Sequence, residues 1–283
     1  MKVKRILNNN VVVAIENEQE KIVMGRGLSF SLKRGDEIPN AKIEKIFDLR
    51  DQEETNYFSK LLSEIPLECF TFTEKAVDYA KVELGRKLHN SIYITLTDHI
   101  NTMVERGKSN AYIKNPMLWD IKRLYKSEFK IALKIIEEFN KLYGTIYDEN
   151  EVARIALHIV NSELEMDISN TIEMTKIITE ILNIVKYYFK ITYNEDSLAY
   201  YRFIVHLQFF VQRIVEDSTY SDSIDSALNN HIIDTYNESY KCALKIKEYV
   251  MNMYNHSLDE EEVIYLTIHI NKVLSESKKH IYK

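Results

Sequence analysis

Four of the eight histidines recur at matching places in the chain, each in the middle of an apolar stretch. His99 lies in Leu96-Thr97-Asp98-His99-Ile100 and His206 in Phe203-Ile204-Val205-His206-Leu207. His158 lies in Leu157-His158-Ile159 and His269 in Ile268-His269-Ile270. A neutral imidazole, with an ordinary pKa of about 6.5, is a nucleophile that takes and returns a phosphoryl group near neutral pH. The modification adds roughly −1.5 to −2 charge, which reorganises an acidic helical interface by repulsion or by pairing to arginine. Arg154 stands one turn before His158 and Arg202 one turn before His206, so each pair shares a helix face and the guanidinium is a candidate phosphate partner.

Other chemistry fits the same residue types. The four rings also fit half-buried core imidazoles satisfied by neighbours, and the two arginines solvated side chains. Packing alone, however, rarely demands the same polar residue at two sites in each of two diverged copies. Metal binding lacks its usual supports, since there is no HExxH and no Cys or His doublet at ligand spacing. No set of positioned carboxylates marks an acid–base cleft, so no catalytic residue, metal or cofactor is assigned.

The elements that must position these rings are helices, and they come twice. Asp148-Glu149-Asn150-Glu151-Val152, running on to His158, matches Asp259-Glu260-Glu261-Glu262-Val263, running on to His269, at a constant offset of 111. The histidines within each copy are 59 and 63 residues apart, which describes one domain of about 110 residues used twice. Apolar residues at helical spacing run from Glu74 to Leu88, Ile92 to Val104, Trp119 to Leu142 and Glu151 to Leu164. The second copy repeats them from Ile172 to Phe189, Leu198 to Val215, Tyr240 to Tyr254 and Glu261 to Leu274. Asp148 and Asp259 are good N-caps, followed by acidic residues that suit the helix dipole. The boundary between the copies falls near Asn170, where Asp167-Ile168-Ser169-Asn170 carries little core.

The first fifty residues differ in kind. Val11 to Ile15 reads as a buried strand, Lys21 to Met24 as a short one, and Leu28-Ser29-Phe30-Ser31-Leu32 alternates with period two. Asn8-Asn9-Asn10 and Gly25-Arg26-Gly27 between them are turn chemistry. The fold class is therefore α+β and multidomain: a small antiparallel sheet followed by two tandem all-α bundles. A sheet of about fifty residues is marginal alone and calls for a second copy to cover its apolar face. Ten basic against seven acidic residues give this head +3 and leave −9 for the rest of a chain whose formal charge is −6. A basic β unit on an acidic helical body suits a polyanion-binding head.

Composition excludes much else. Six glycines and three prolines are too few for a doubly wound nucleotide-binding sheet or a many-turned β protein. Cys69 and Cys242 form no CxxC pair, which fits a reducing cytosol rather than a disulfide framework. The apolar run near the basic N-terminus is five residues long, against the ~7–15 of a secretory core. No stretch approaches the ~20 apolar residues of a spanning helix. A cytoplasmic protein without membrane insertion is expected.

The chain resembles, from end to end, the transcriptional antiterminators of bacterial sugar operons, the BglG/LicT/SacY type. The matching head signatures are Ile6-Leu7-Asn8-Asn9-Asn10-Val11, Val23-Met24-Gly25-Arg26-Gly27-Leu28-Ser29-Phe30 and Ile43-Glu44-Lys45-Ile46-Phe47. In the first helical copy they are Leu96 to Ile100, Lys114-Asn115-Pro116-Met117-Leu118-Trp119 and Ala156 to Asn161; in the second, Tyr201-Arg202-Phe203, His206-Leu207 and His269-Ile270. The resemblance implies a co-antiterminator RNA-binding domain over residues 1–56 and two phosphotransferase-system regulation domains over 57–170 and 171–283. It implies a homodimer whose paired heads bind a hairpin in the leader mRNA and so prevent a terminator from forming. The partners implied are the phosphocarrier HPr and a sugar-specific permease (enzyme II), which place phosphate on His99, His158, His206 and His269. By the same resemblance Arg5, Asn8, Asn10, Gly25, Arg26 and Phe30 meet the RNA. Arg5 would contact phosphates or bases, the asparagine amides base edges, and Phe30 would stack, while Gly25 would let the backbone approach closely.

Two alternatives stay open at this point. A DNA-binding activator with similar regulatory domains would want a helix-turn-helix head, whereas residues 1–50 read as strands. A phosphohistidine transfer protein would pass its phosphate onward; the antiterminator reading is of a protein without enzymatic turnover.

Overall fold

The computed structural model describes the chain apart from residues 18, 26, 48–51, 110, 112, 217–225 and 282–283. Four strands open it, β1 (Lys2–Ile6), β2 (Val11–Glu16), β3 (Gln19–Met24) and β4 (Lys45–Phe47), in one antiparallel sheet of order β1-β2-β3-β4. Helices follow: α1 (Gln52–Glu64), α2 (Leu67–Leu84), α3 (Ile92–Lys108), α4 (Leu118–Leu124), α5 (Lys126–Tyr143) and α6 (Glu149–Leu164). Then come α7 (Ile168–Phe189), α8 (Leu198–Val215), α9 (Ser226–Thr235), α10 (Asn237–Tyr254) and α11 (Glu260–Ile281). No helix among the described residues is long and apolar enough to cross a membrane. The α+β architecture read from the sequence holds.

The chain divides into two compact units, Met1–Met166 and Asp167–Lys283. The sheet thus belongs to the same compact unit as the first bundle. Its alternation explains why. Val3, Val12, Ala14 and Val23 point to one face and pack under Leu28, Leu32 and Ile38. Val11, Val13, Ile22 and Phe47 point to the other and are also buried. Phe47 stands edge-on to Phe58 of α1, Phe70 of α2 and Tyr93 of α3, at 5.3, 6.1 and 5.0 Å between centroids. Lys45 beside it pairs with Glu74 and Asp78 of α2, at 3.3 Å each. The apolar face expected to await a second copy is covered by the chain's own helices.

Three local expectations change. Leu28–Ser31 is a 3-10 turn rather than a strand, entered through Gly27 at φ 63°, a left-handed conformation that favours glycine. The stripe from Trp119 to Leu142 is two helices, broken at Tyr125 (φ −121°, ψ 54°), and Trp119 stands exposed. No Gly or Pro marks that break, yet it recurs 111 residues later at Tyr236 (φ −118°, ψ 38°), ahead of α10. Residues 167–170, read as a seam with little core, are the cap and first turn of α7, and the division of the chain falls just before them. The two expected caps form: Asp148 accepts from the backbone N–H of Asn150 at 3.0 Å, and Asp259 from that of Glu262 at 2.7 Å.

Candidate functional site

In the first unit, α3 carries His99 and α6 carries His158, and the two rings lie 4.9 Å apart between centroids. His158 is buried and its Nδ1 has no hydrogen-bond partner. Burial, with His99 alongside, holds its pKa well below the usual imidazole value. Glu151, seven residues before His158 and on the same face of α6, is buried beneath the pair. Its Oε2 lies 3.1 Å from His99 Nε2, without forming a well-aligned hydrogen bond. Arg106 donates to both Glu151 oxygens at 3.1 and 3.3 Å, and Arg154 donates to Oε1 at 2.6 Å. Burial pushes the Glu151 carboxyl up, but His99, Arg154 and Arg106 outweigh it and hold the group ionised below its usual range. Arg154 also donates to the Ile113 carbonyl at 2.9 Å.

In the second unit, α8 and α11 bring His206 and His269 to 4.4 Å, nearly stacked. Burial, then His269 and Arg213, lower His206 to about 3, and burial with Lys272 and Arg202 lowers His269. His206 Nδ1 is buried without a partner. Arg213 donates to Glu262 Oε1 at 3.1 Å. Tyr265 packs its ring 6.0 Å from His206. Arg202 is exposed, and the charge it contributes acts on His269, the partner of the histidine it precedes in sequence.

In the head, Arg5 and Phe30 are exposed, Phe30 by 79%. The two asparagines serve the loop itself: Asn8 Oδ1 accepts from Asn10 N–H at 2.9 Å, and Asn10 Oδ1 accepts from Gly27 N–H at 2.7 Å. Neither is left-handed; that conformation falls to Asn17 in the β2–β3 turn. Asn8 also donates its amide weakly to the Leu62 carbonyl of α1, at 3.4 Å. The close approach at Gly25 is made by the chain, because a Cβ there would sit 1.8 Å from the Lys42 carbonyl oxygen. Arg26 lies outside the described residues.

Residues 1–56 match the CAT RNA binding domain, and residues 74–162 and 179–273 match the PRD domain. Transcription antiterminator LicT of Bacillus subtilis (strain 168) is 45% identical over 98% of this chain and 100% of its own length. The chain belongs to the BglG/LicT/SacY type of transcription antiterminator. The beta-glucoside operon antiterminator of Dickeya chrysanthemi is 42% identical, covering 98% of both chains. The crystal structure of GlcT CAT-PRDI aligns with a TM-score of 0.50 and 32% identity, over 57% of this chain and 97% of that one.

The fold of this antiterminator thus brings all four sequence-picked histidines into two facing pairs, one in each PRD. It also recruits residues that the sequence reading passed over. Along the sequence Glu151 and Glu262 stand as acidic first-turn residues suited to a helix dipole, and residue type alone does not mark Arg106 or Arg213. The signal was present: Glu151 and Glu262 are 111 apart, as His158 and His269 are, and Arg106 and Arg213 are 107 apart, as His99 and His206 are. Arg154 and Arg202 break that symmetry, since Tyr265 and Thr95 hold the equivalent places.

Proposed function

We propose that this antiterminator works as a homodimer that binds a hairpin in leader mRNA and prevents the overlapping terminator from forming, under phosphotransferase control of its two PRDs. The observation that carries the reading is the pair of facing imidazoles in each PRD. Burial keeps His158, His206 and His269 neutral at physiological pH, the state in which a ring nitrogen has a free lone pair for phosphorus. A phosphocarrier such as HPr, or a sugar-specific permease, would supply the group: its own N–P or S–P bond breaks as the imidazole N–P bond forms. Phosphate at His99 or His158 disfavours the packed dimer, and phosphate at His206 or His269 favours it. The protein performs no turnover of its own and acts in the cytoplasm.

The exposed guanidinium of Arg5 and ring of Phe30 support RNA contact by the head, through phosphate pairing and stacking. Both sheet faces are covered within the single chain, so pairing of heads through their sheets requires the head to leave α1 and the Leu62 carbonyl to release Asn8. The likeness to a beta-glucoside operon antiterminator makes such an operon's leader the first RNA to try.

The test is a gel shift with leader hairpin RNA against duplex DNA over a range of salt, before and after incubation with HPr, its phosphorylating enzyme and the permease. Preference for the hairpin that persists as salt rises, with phosphohistidine at the four positions by mass spectrometry, is the expected result. Equal affinity for duplex DNA, or unmodified histidines, overturns it.

A further inference from the structure

The geometry points to Arg106 and Arg213 as the phosphoryl-binding guanidinia of the two histidine pairs, each parked on a resident carboxylate, Glu151 or Glu262, until its neighbouring imidazole is phosphorylated. This rests on the reading that those imidazoles accept phosphate. Three observations lead to it. Each arginine lies seven residues after the first histidine of its copy, and each glutamate seven before the second, so the pair recurs with the rings themselves. Both ion pairs are made, at 3.1 Å, between helices that carry the histidines. Both also lie within electrostatic reach of an imidazole: Glu151 Oε2 is 3.1 Å from His99 Nε2, and the Arg213 charge lowers the basicity of His206.

A phosphoryl group presents three acceptor oxygens and about −1.5 to −2 charge, against one negative charge on a carboxylate, so a guanidinium within reach transfers to it. The glutamate is then left facing the new charge, and the two helices are pushed to rearrange. His158, Arg154 and Glu151 surround the site in the first copy; His269, Tyr265, Lys272, Arg202 and Glu262 surround it in the second. Arg154 serves as a second cation on Glu151 in one copy only, because Tyr265 replaces it in the other.

The experiment uses the full chain and potassium phosphoramidate, so that no partner protein is needed. The imidazole nitrogen attacks phosphorus, the P–N bond of the reagent breaks, and ammonia leaves with the imidazole proton. Phosphorus NMR then follows the titration midpoint of each phosphohistidine. Arg106→Gln and Arg213→Gln raise the midpoint by about half a unit or more, because a cation that favoured the dianion is gone. Glu151→Gln and Glu262→Gln lower it, because the cation is released to the phosphate. Arg106→Lys and Arg213→Lys restore part of the effect. Opposite signs from the two partners of one ion pair are not produced by loosened packing, and thermal melts identify any variant that is unfolded; the more solvent-accessible Arg213–Glu262 pair then carries the test. Phosphohistidines whose midpoints ignore the substitutions, or move the same way for both partners, overturn the proposal while leaving phosphorylation standing. Failure of all four histidines to take phosphate in the unaltered chain overturns both.

Discussion

The two histidine pairs are built on one backbone plan and differ in the charge beneath them. In the first PRD a buried carboxylate, Glu151, gathers His99, Arg106 and Arg154. In the second, Glu262 holds Arg213, and a tyrosine ring fills the place of the second arginine. The first pair is therefore tied into a charge network, whereas the second stacks its rings among aromatics, with Phe210 and Tyr265 near His206 and Phe203 near His269. A duplicated domain kept its histidine pair and its Arg–Glu pair and changed what surrounds them. Two sites of the same chemistry can in this way respond differently to one added charge.

The sharpest break of the comparison is removal of the carboxylates. Glu151→Ala leaves two guanidinia without their shared, buried counter-charge, and a loss of about 3–5 kcal/mol in unfolding free energy is expected. Glu262→Ala removes the carboxylate from one arginine that is 26% accessible in its side chain and still donates to the Phe209 carbonyl, and the expected loss is about 1–2 kcal/mol. Cys69 and Cys242 are buried free thiols, one in each unit, so pulsed thiol labelling in urea reads the two losses separately. Equal losses would erase the distinction.

Acid separates the units next. His206 resists protonation until pH about 3, while in the unfolded chain it takes a proton near 6.5. The unfolded state thus binds more protons between those values, so the contribution is intact above pH 6.5 and is lost as pH falls. In the first unit Glu163 behaves in the opposite sense. Burial beside Glu128 raises it to about 7 from 4.5, so its contribution is intact below about 4.5 and is lost as pH rises to 7. His206→Gln is expected to flatten the acid-side loss at Cys242, and Glu163→Gln the loss towards neutral pH at Cys69. Each slope amounts to at most about 1.4 kcal/mol per pH unit. Slopes that the substitutions leave unchanged would show that other groups carry the proton linkage.

The caps give the smallest and most symmetrical effect. Asp148→Ala and Asp259→Ala should each cost about 1 kcal/mol, at Cys69 and Cys242 respectively, because each cap satisfies an N–H at the start of a histidine-bearing helix. A difference well beyond that between the two would show that the first turns are coupled to the unequal charge networks just behind them.

Much of the histidine geometry was legible in the chain because it is written in two one-dimensional signals, helical period and repeat offset. Period put His99 and His158 on apolar faces, and the offset of 111 told which residues were equivalent. The break at Tyr125 escaped because its apolar period runs through without Gly or Pro; only its recurrence at Tyr236 shows that it belongs to the repeat. The strand expected at Leu28–Leu32 failed because a left-handed Gly27 leads the first four of those five residues into a 3-10 turn. The asparagines illustrate a different gap: an amide that suits a base edge also suits a loop, and residue type does not say which one claims it.

By itself the sequence determined the β head, the two helical copies and the four histidines, since local period, turn residues and repetition suffice to specify elements and their equivalence. Tertiary structure alone decided that Glu151, from α6, meets Arg106, 45 residues away on α3, and that the sheet's second face closes on Phe58, Phe70 and Tyr93. Such meetings depend on how helices pack across the chain, and a charge or an aromatic ring carries no mark along the sequence of the distant partner it will be buried against.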